Sequence, residues 1–172
     1  LELRPVRSSD MEQTSIKFGD LDEFFALSAQ FDSSYEYTVS WVDCLAGGKN
    51  IGRGHYIGGN HSTTGELTVA SGQTKRMPVD PQFSLVNNLT LKLFNSLYYQ
   101  RQTRKRVERR VGYDPFFYPL DGLLHWNRMY GKAGFQQYQC VIPSAQGRDV
   151  VSAILRETGV NGAGSFLAVL KQ

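Results

Sequence analysis

The chain has 172 residues, 41% of them hydrophobic and 20% charged, with a net charge of +3. That is enough for one domain with a real core and too ordinary a balance for disorder, and the average charge alone gives no argument for nucleic acid. No run approaches the roughly 18 apolar residues of a membrane span, and the two cysteines, Cys44 and Cys140, lie far apart in no CxxC context, which excludes a disulfide framework and fits a reducing compartment.

In chain order, residues 1–7 alternate as a short strand and "SIKF" (15–18) reads as another. Asp20 then offers an N-cap with Glu23 three residues on, and Leu21, Phe24, Phe25 and Ser28 follow at helical spacing, so the pattern predicts a helix over Leu21–Phe31. "YEYTVSWVD" (35–43) is rich in β-branched and aromatic residues and reads as a strand. A glycine turn, "CLAGGKN", returns it as a partner strand over 51–57. Residues 63–81 show no period and read as a long connection.

From 83 to 100, Val86, Leu89, Leu93 and Leu97 mark one helical face. The helix runs into "RQTRKRVERR", and a short helix is expected over about 120–130. The stretch beginning at Phe135, "FQQYQCVIP", reads as a strand with Gln137, Gln139 and Val141 on one face. Ser144 can cap a further helix whose face is Val150, Val151, Ile154 and Leu155, ending near Gly159. The last strand is 165–171. This mixture lacks strict strand–helix–strand alternation. It predicts an α+β fold: a mainly antiparallel sheet flanked by helices on one face, the other left for a ligand or partner. The alternating, apolar ends read as strands of something larger, so residues 1–172 are expected to be one domain excised from a longer protein. With neither a signal-peptide pattern nor a membrane span, the expected location is cytoplasmic or peripheral to the inner membrane.

Several chemistries find little support. His55, His61 and His125 do not pair at ligand spacing, so no metal site is expected. Neither cysteine has an activating neighbour. In "GGKNIGRGHYIGG", Lys49 is followed by Asn50 rather than Ser or Thr, and strand rather than helix follows, so these glycines read as turn and bulge residues. Between 101 and 110, six of ten residues are cationic: Arg101, Arg104, Lys105, Arg106, Arg109 and Arg110. Two readings stand, a solvated helix end favoured by the helix dipole and a patch for an anionic partner, whether lipid phosphate, membrane surface or nucleic acid. The tyrosines flank that run rather than interleave with it, so nucleic acid is not expected. The paired glutamines also admit two readings, a solvated strand face and a wall for a hydroxyl-rich ligand, since each amide offers an acceptor and two donors. Trp41 and Lys171 share the ambiguity between core or solvent and pocket.

"FFYPLDGLLHWNRMYGKAGFQQYQCVIP" and "GSFLAVLK" together resemble the substrate-binding domain of the decaprenylphosphoryl-β-D-ribose 2-oxidase-like enzymes, FAD-linked flavoproteins of the vanillyl-alcohol-oxidase superfamily. The resemblance is firm from about Phe116 onward, looser over "SWVD" and "IGRG", and weakest across 63–111. It implies a cap domain for a flavin held mainly by a separate FAD domain of the same parent chain. It also implies hydride transfer from a carbinol carbon of a lipid-linked sugar to the flavin, as in cell-wall biosynthesis, with the isolated chain inactive. The substrate-binding residues implied are Trp41, Phe117, Leu120, Trp126, Gln137, Gln139, Leu167 and Lys171, with Gln139 and Lys171 also facing the cofactor. Phe117 stands where close relatives commonly carry Tyr, Val39 replaces a small polar residue, and a second active-site lysine of the family lies beyond Lys171. The alternatives are a flavin oxidase of a free sugar, aldonolactone or alcohol, and a non-catalytic module binding anionic lipid or nucleic acid through 101–110. A partner reductase is a further possibility within the family reading.

Overall fold

The structure, a computed structural model, describes residues 2–68, 75–77, 81–82, 84–120, 122–162 and 164–171. Five strands form one sheet in the order β5-β1-β3-β2-β7, every pairing antiparallel. They are β1 (Asp10–Phe18), β2 (Tyr37–Val42), β3 (Gly54–His61), β5 (Arg106–Gly112) and β7 (Val169–Leu170). The helices are α1 (Leu21–Phe31), α2 (Asn88–Gln100), α3 (Tyr113–Phe117) and α4 (Gly147–Asn161), and a parallel two-residue pair joins β4 (Lys75–Arg76) to β6 (Leu123–Leu124). The α+β, antiparallel architecture expected from the pattern is borne out, but the helices, expected on one face, lie on both: α1 and α4 on one, α2 and α3 on the other.

Helix α1 forms where the pattern put it. Asp20 accepts a hydrogen bond from the Glu23 amide at 2.9 Å, while the Glu23 carboxylate accepts from the Gly19 amide at 2.6 Å, one residue before the cap. Its apolar side, Leu21 and Phe24, closes over Ile16, Phe18, Val42 and Tyr56 of the sheet, and Val151 and Leu155 of α4 complete this core. The β2–β3 hairpin is also as expected, displaced a few residues toward the C-terminus in its second strand. Gly54 lies where a Cβ would stand 2.0 Å from the Trp41 carbonyl oxygen and 2.6 Å from the Phe18 ring, so this register needs glycine.

Other elements differ. Residues 2–9 belong to no strand, and Leu3 points to solvent; the sheet begins at Asp10, extending the short "SIKF" strand backward. The basic run does not simply continue α2. After a turn it becomes β5, an edge strand paired to β1. The helix expected over 120–130 is replaced by α3 and a later 3-10 segment, Trp126–Ala133. Residues 135–143 belong to no strand or helix and are mostly exposed, for a stretch of three glutamines has little apolar surface to pin it to the sheet. Parts of the 63–81 connection and residue 83 lie outside the described residues.

Helix α2 does not dock through its leucine face. Asn87 caps it, accepting from the Leu89 and Thr90 amides while Thr90 returns the bond. Yet it meets the sheet through Leu91, Asn95, Tyr98 and Tyr99, and its leucine stripe faces out. Among the described residues no helix is long and apolar enough to cross a membrane.

Candidate functional site

Opposed residues of a ladder project their side chains to one side, so the registers divide the sheet into two faces. One, with Phe18, Ile16, Tyr56 and Val42, is covered by α1 and α4. The other collects Met11, Gln13, Ser15 and Lys17 of β1, His55, Ile57, Gly59 and His61 of β3, Tyr37, Val39 and Trp41 of β2, Val107 and Arg109 of β5, and Val169 of β7. This second face is capped at its two ends and only half-covered between them.

At one end Trp41 and His55 lie beneath the last turns of α2. The Trp41 ring stands 4.6 Å from Tyr98 and 5.8 Å from His55, and His55 stands 5.6 Å from Tyr99. Lys17 Nζ lies 4.1 Å and the Arg53 guanidinium 4.6 Å from the centre of the Tyr99 ring, on which cations are favoured. Trp41 Nε1 donates to the Phe166 carbonyl at 2.9 Å, tying β2 to the segment that enters β7. At the other end Tyr37, His61, Phe116 and Phe117 form a second aromatic cluster, with Tyr37 and Phe117 edge-to-face at 4.9 Å. A Cβ at Gly59 would stand 2.5 Å from the Phe116 ring, so glycine there lets α3 settle on the sheet. Between the clusters, Ser15 Oγ donates to Gln102 Oε1 at 2.8 Å and Arg109 Nε donates to Gln13 Oε1 at 3.3 Å.

A buried polar knot supports the first cluster. Arg53 grips Asp43 Oδ2 through Nε at 3.0 Å and Nη2 at 2.8 Å, while Asn95 Nδ2 donates to Asp43 Oδ1 at 3.2 Å and to the Ser165 carbonyl at 3.1 Å. Asn95 is fully buried, and among the described residues its Oδ1 finds no hydrogen-bond partner. Neither ring nitrogen of the buried His55 finds one of ordinary geometry. Burial pulls the His55 pKa down to about 4, with Arg101 and Lys17 pulling the same way against the nearby Tyr98 and Tyr99 backbone. The ring is therefore neutral at pH 7. Burial likewise lowers Lys17 and raises Cys44 from their ordinary values.

Of the eight residues implied as substrate-binding, only Trp41 and Phe117 are placed on this face. Trp41 is buried within it, and Phe117 lies at its far end, partly exposed. Trp126 is half-buried and joined to Trp41 indirectly, through Phe166, which Trp126 meets edge-on at 6.4 Å. Leu120 is half-buried, Leu167 is exposed just before β7 and Lys171 just after it. Gln137 and Gln139 are exposed, outside the sheet. Both ends of their stretch are nonetheless held near β7. Phe135 packs on Trp126 and Tyr130, which both reach Phe166, and Ile142 packs on the same core as Ala168 and Leu170.

The basic residues divide. Lys105 pairs with Glu23, Arg106 with Glu108 and Arg110 with Glu12, so β5 carries charges that discourage another strand from adding to that edge. Arg101 lies over the Tyr98 ring at 3.9 Å and Arg104 is exposed. Sequence reasoning did not single out His55, Asn95 or Tyr99. The available signal was the two-residue period of β3, which puts His55 on the face of Ile57 and Gly59.

No family model matches the chain. It is 28% identical to decaprenylphosphoryl-β-D-ribose oxidase of Mycolicibacterium smegmatis over 184 aligned positions, which take in 99% of the chain and 39% of that protein. The chain thus spans about two fifths of the length of the curated relative it matches. An alignment that runs from end to end through the hairpin, the basic strand and the glutamine stretch makes this chain a distant homologue of a domain of decaprenylphosphoryl-β-D-ribose oxidase.

Proposed function

We propose that the chain is the substrate-binding domain of a longer FAD-dependent oxidoreductase that oxidises a hydroxyl of a lipid-linked sugar, a polyprenyl-phosphoryl pentose. The whole-length homology to decaprenylphosphoryl-β-D-ribose oxidase carries this reading. The rest of that longer protein would hold most of the cofactor. The residues available here fit a flavin presented from outside: Gln139 and Lys171 are exposed and make no side-chain hydrogen bond with other described residues. The flavin, when bound, supplies the hydride acceptor.

What this chain contributes is position. Trp41, Phe117, Leu120, Trp126 and Leu167 provide apolar wall, while the amides of Gln137 and Gln139 offer donors and acceptors matched to sugar hydroxyls. β7 is the outer strand of the sheet, and the stretch 135–142 keeps a strand's alternation with both ends anchored nearby. In the full-length protein, pairing of the two would bring Gln137 and Gln139 beside Leu167 and Lys171. A sugar held against such a wall keeps its carbinol hydrogen oriented toward the acceptor, which is the entropic part of catalysis.

Kinetics of the full-length protein test these assignments. Gln139→Ala and Lys171→Ala should each lower kcat/KM by about tenfold or more, the loss of a hydrogen bond to a charged or reacting group. Both side chains are exposed, so the thermal midpoint should not move. Wild-type kinetics in both variants would remove these residues from the site.

A further inference from the structure

We infer that α2 lies on the surface of an anionic bilayer, with its leucine stripe in the interface and Lys92, Arg101 and Arg104 at the headgroups. This inference does not depend on the flavin reading.

The observation behind it is the seating of the helix. At about 3.6 residues per turn, Leu89, Leu93 and Leu97 follow one line and Arg101 continues it by one more turn. That line lies opposite Leu91, Asn95 and Tyr98, through which α2 meets the protein. Leu89, Leu93 and Leu97 are 78%, 61% and 59% exposed, and Phe94 and Leu85 are exposed beside them. The body of the domain is therefore already bound through the other side of the helix. Single exposed leucines are ordinary, but three in line on one helix, flanked by two more large apolar side chains, form a patch that calls for an apolar environment.

Charge selects the environment. Helix α2 contains no acidic residue. Among the described residues, Lys92, Arg101 and Arg104 enter no ion pair, although Arg101 stacks on Tyr98. Lys92 is exposed on the flank of the stripe, Arg101 ends it, and Arg104 follows in the exposed turn. A protein partner for a leucine stripe would be met by any complementary apolar face. Cations around the stripe, with no acid on the helix, instead match apolar chains overlaid by a plane of phosphates. The helix has 13 residues and is not of the kind that crosses a membrane, so it lies on the surface. Asn87 and Thr90 cap its start, which keeps it formed without the lipid.

The test is co-flotation of the full-length protein with phosphatidylcholine vesicles, with and without phosphatidylglycerol, at low and high salt. Two double variants are compared, L93E/L97E and R101E/R104E. We expect the wild-type protein to float with the anionic vesicles. Either double variant should partition about tenfold or more weakly, high salt should weaken the wild type, and the thermal midpoint of L93E/L97E should be unchanged because Leu93 and Leu97 stand mostly in solvent. Failure of the wild type to float would overturn the inference. So would flotation unaffected by L93E/L97E, which would leave adsorption by charge alone. A lowered thermal midpoint in L93E/L97E would make the stripe an internal packing surface, and stripe-dependent self-association without vesicle binding would make it a dimer face. Either result also overturns it. Vesicle binding is read without turnover or flavin, so it stands or falls separately from the oxidoreductase proposal.

Discussion

His55 sits on the half-covered face of the sheet, yet Trp41, Tyr98 and Tyr99 enclose it and leave both ring nitrogens without ordinary hydrogen bonds. A neutral imidazole tolerates that environment; an imidazolium does not. The unfolded chain protonates the ring near pH 6.5 and the folded chain only near 4. Between these values the unfolded state holds the extra proton, so stability falls as pH drops through that window and is insensitive to this group above it. At about 1.4 kcal/mol per pKa unit the loss is at most roughly 3 kcal/mol. Urea unfolding at about pH 8 and about pH 5 should show about 2 kcal/mol of this loss in the wild type and a flatter dependence in His55→Val. The same slope in both proteins would put the titration elsewhere. The Asp43–Arg53–Asn95 knot belongs to the same scale. Its members are separated in sequence and meet only when the hairpin closes and α2 docks, so no local spacing announced them.

At the scale of elements, what could be read from the residues was whatever depended on local pattern. α1 was legible because its cap, acidic first turn and apolar side agree. The β2–β3 hairpin was legible from aromatic and β-branched residues around a glycine turn. β5 was not, because an edge strand with one open side tolerates arginines that otherwise suggest a solvated helix end. The seating of α2 was not legible for a related reason. The leucines dominate its period, but the side that docks uses Leu91, the buried amide of Asn95 and two tyrosines, which only the aromatic and polar groups of the sheet could select. The glutamine stretch has a strand's alternation with no strand beside it among the described residues. β3 offers the direct mechanical test of the sheet. Gly54→Ala would press a methyl against the Trp41 carbonyl and the Phe18 ring, and overpacking of this kind costs about 1–3 kcal/mol, more where backbone must move. The upper end or beyond is expected, read as a lowered thermal midpoint. A neutral substitution would mean that β2 and β3 are not in this register.

At the scale of the whole molecule, one sheet serves two purposes. The face bearing Phe18, Ile16 and Tyr56 is closed by α1 and α4 and holds the domain together. The opposite face is bounded by two aromatic clusters, and of the residues implied as substrate-binding Trp41 lies within it and Phe117 at its far end. Trp41 is buried in that face, while the glutamines and Lys171 stand at the surface of this chain. Such an arrangement suits a domain that completes a site together with the rest of a longer protein, which the relative's greater length accommodates. The central claim is therefore tested on the full-length protein, by recording its visible spectrum and then adding polyprenyl-phosphoryl ribose in the absence of oxygen. The account predicts a yellow protein whose flavin band bleaches on that addition. A yellow protein that stays yellow would contradict the proposed substrate, and a colourless protein that FAD cannot reconstitute would contradict the flavin chemistry itself.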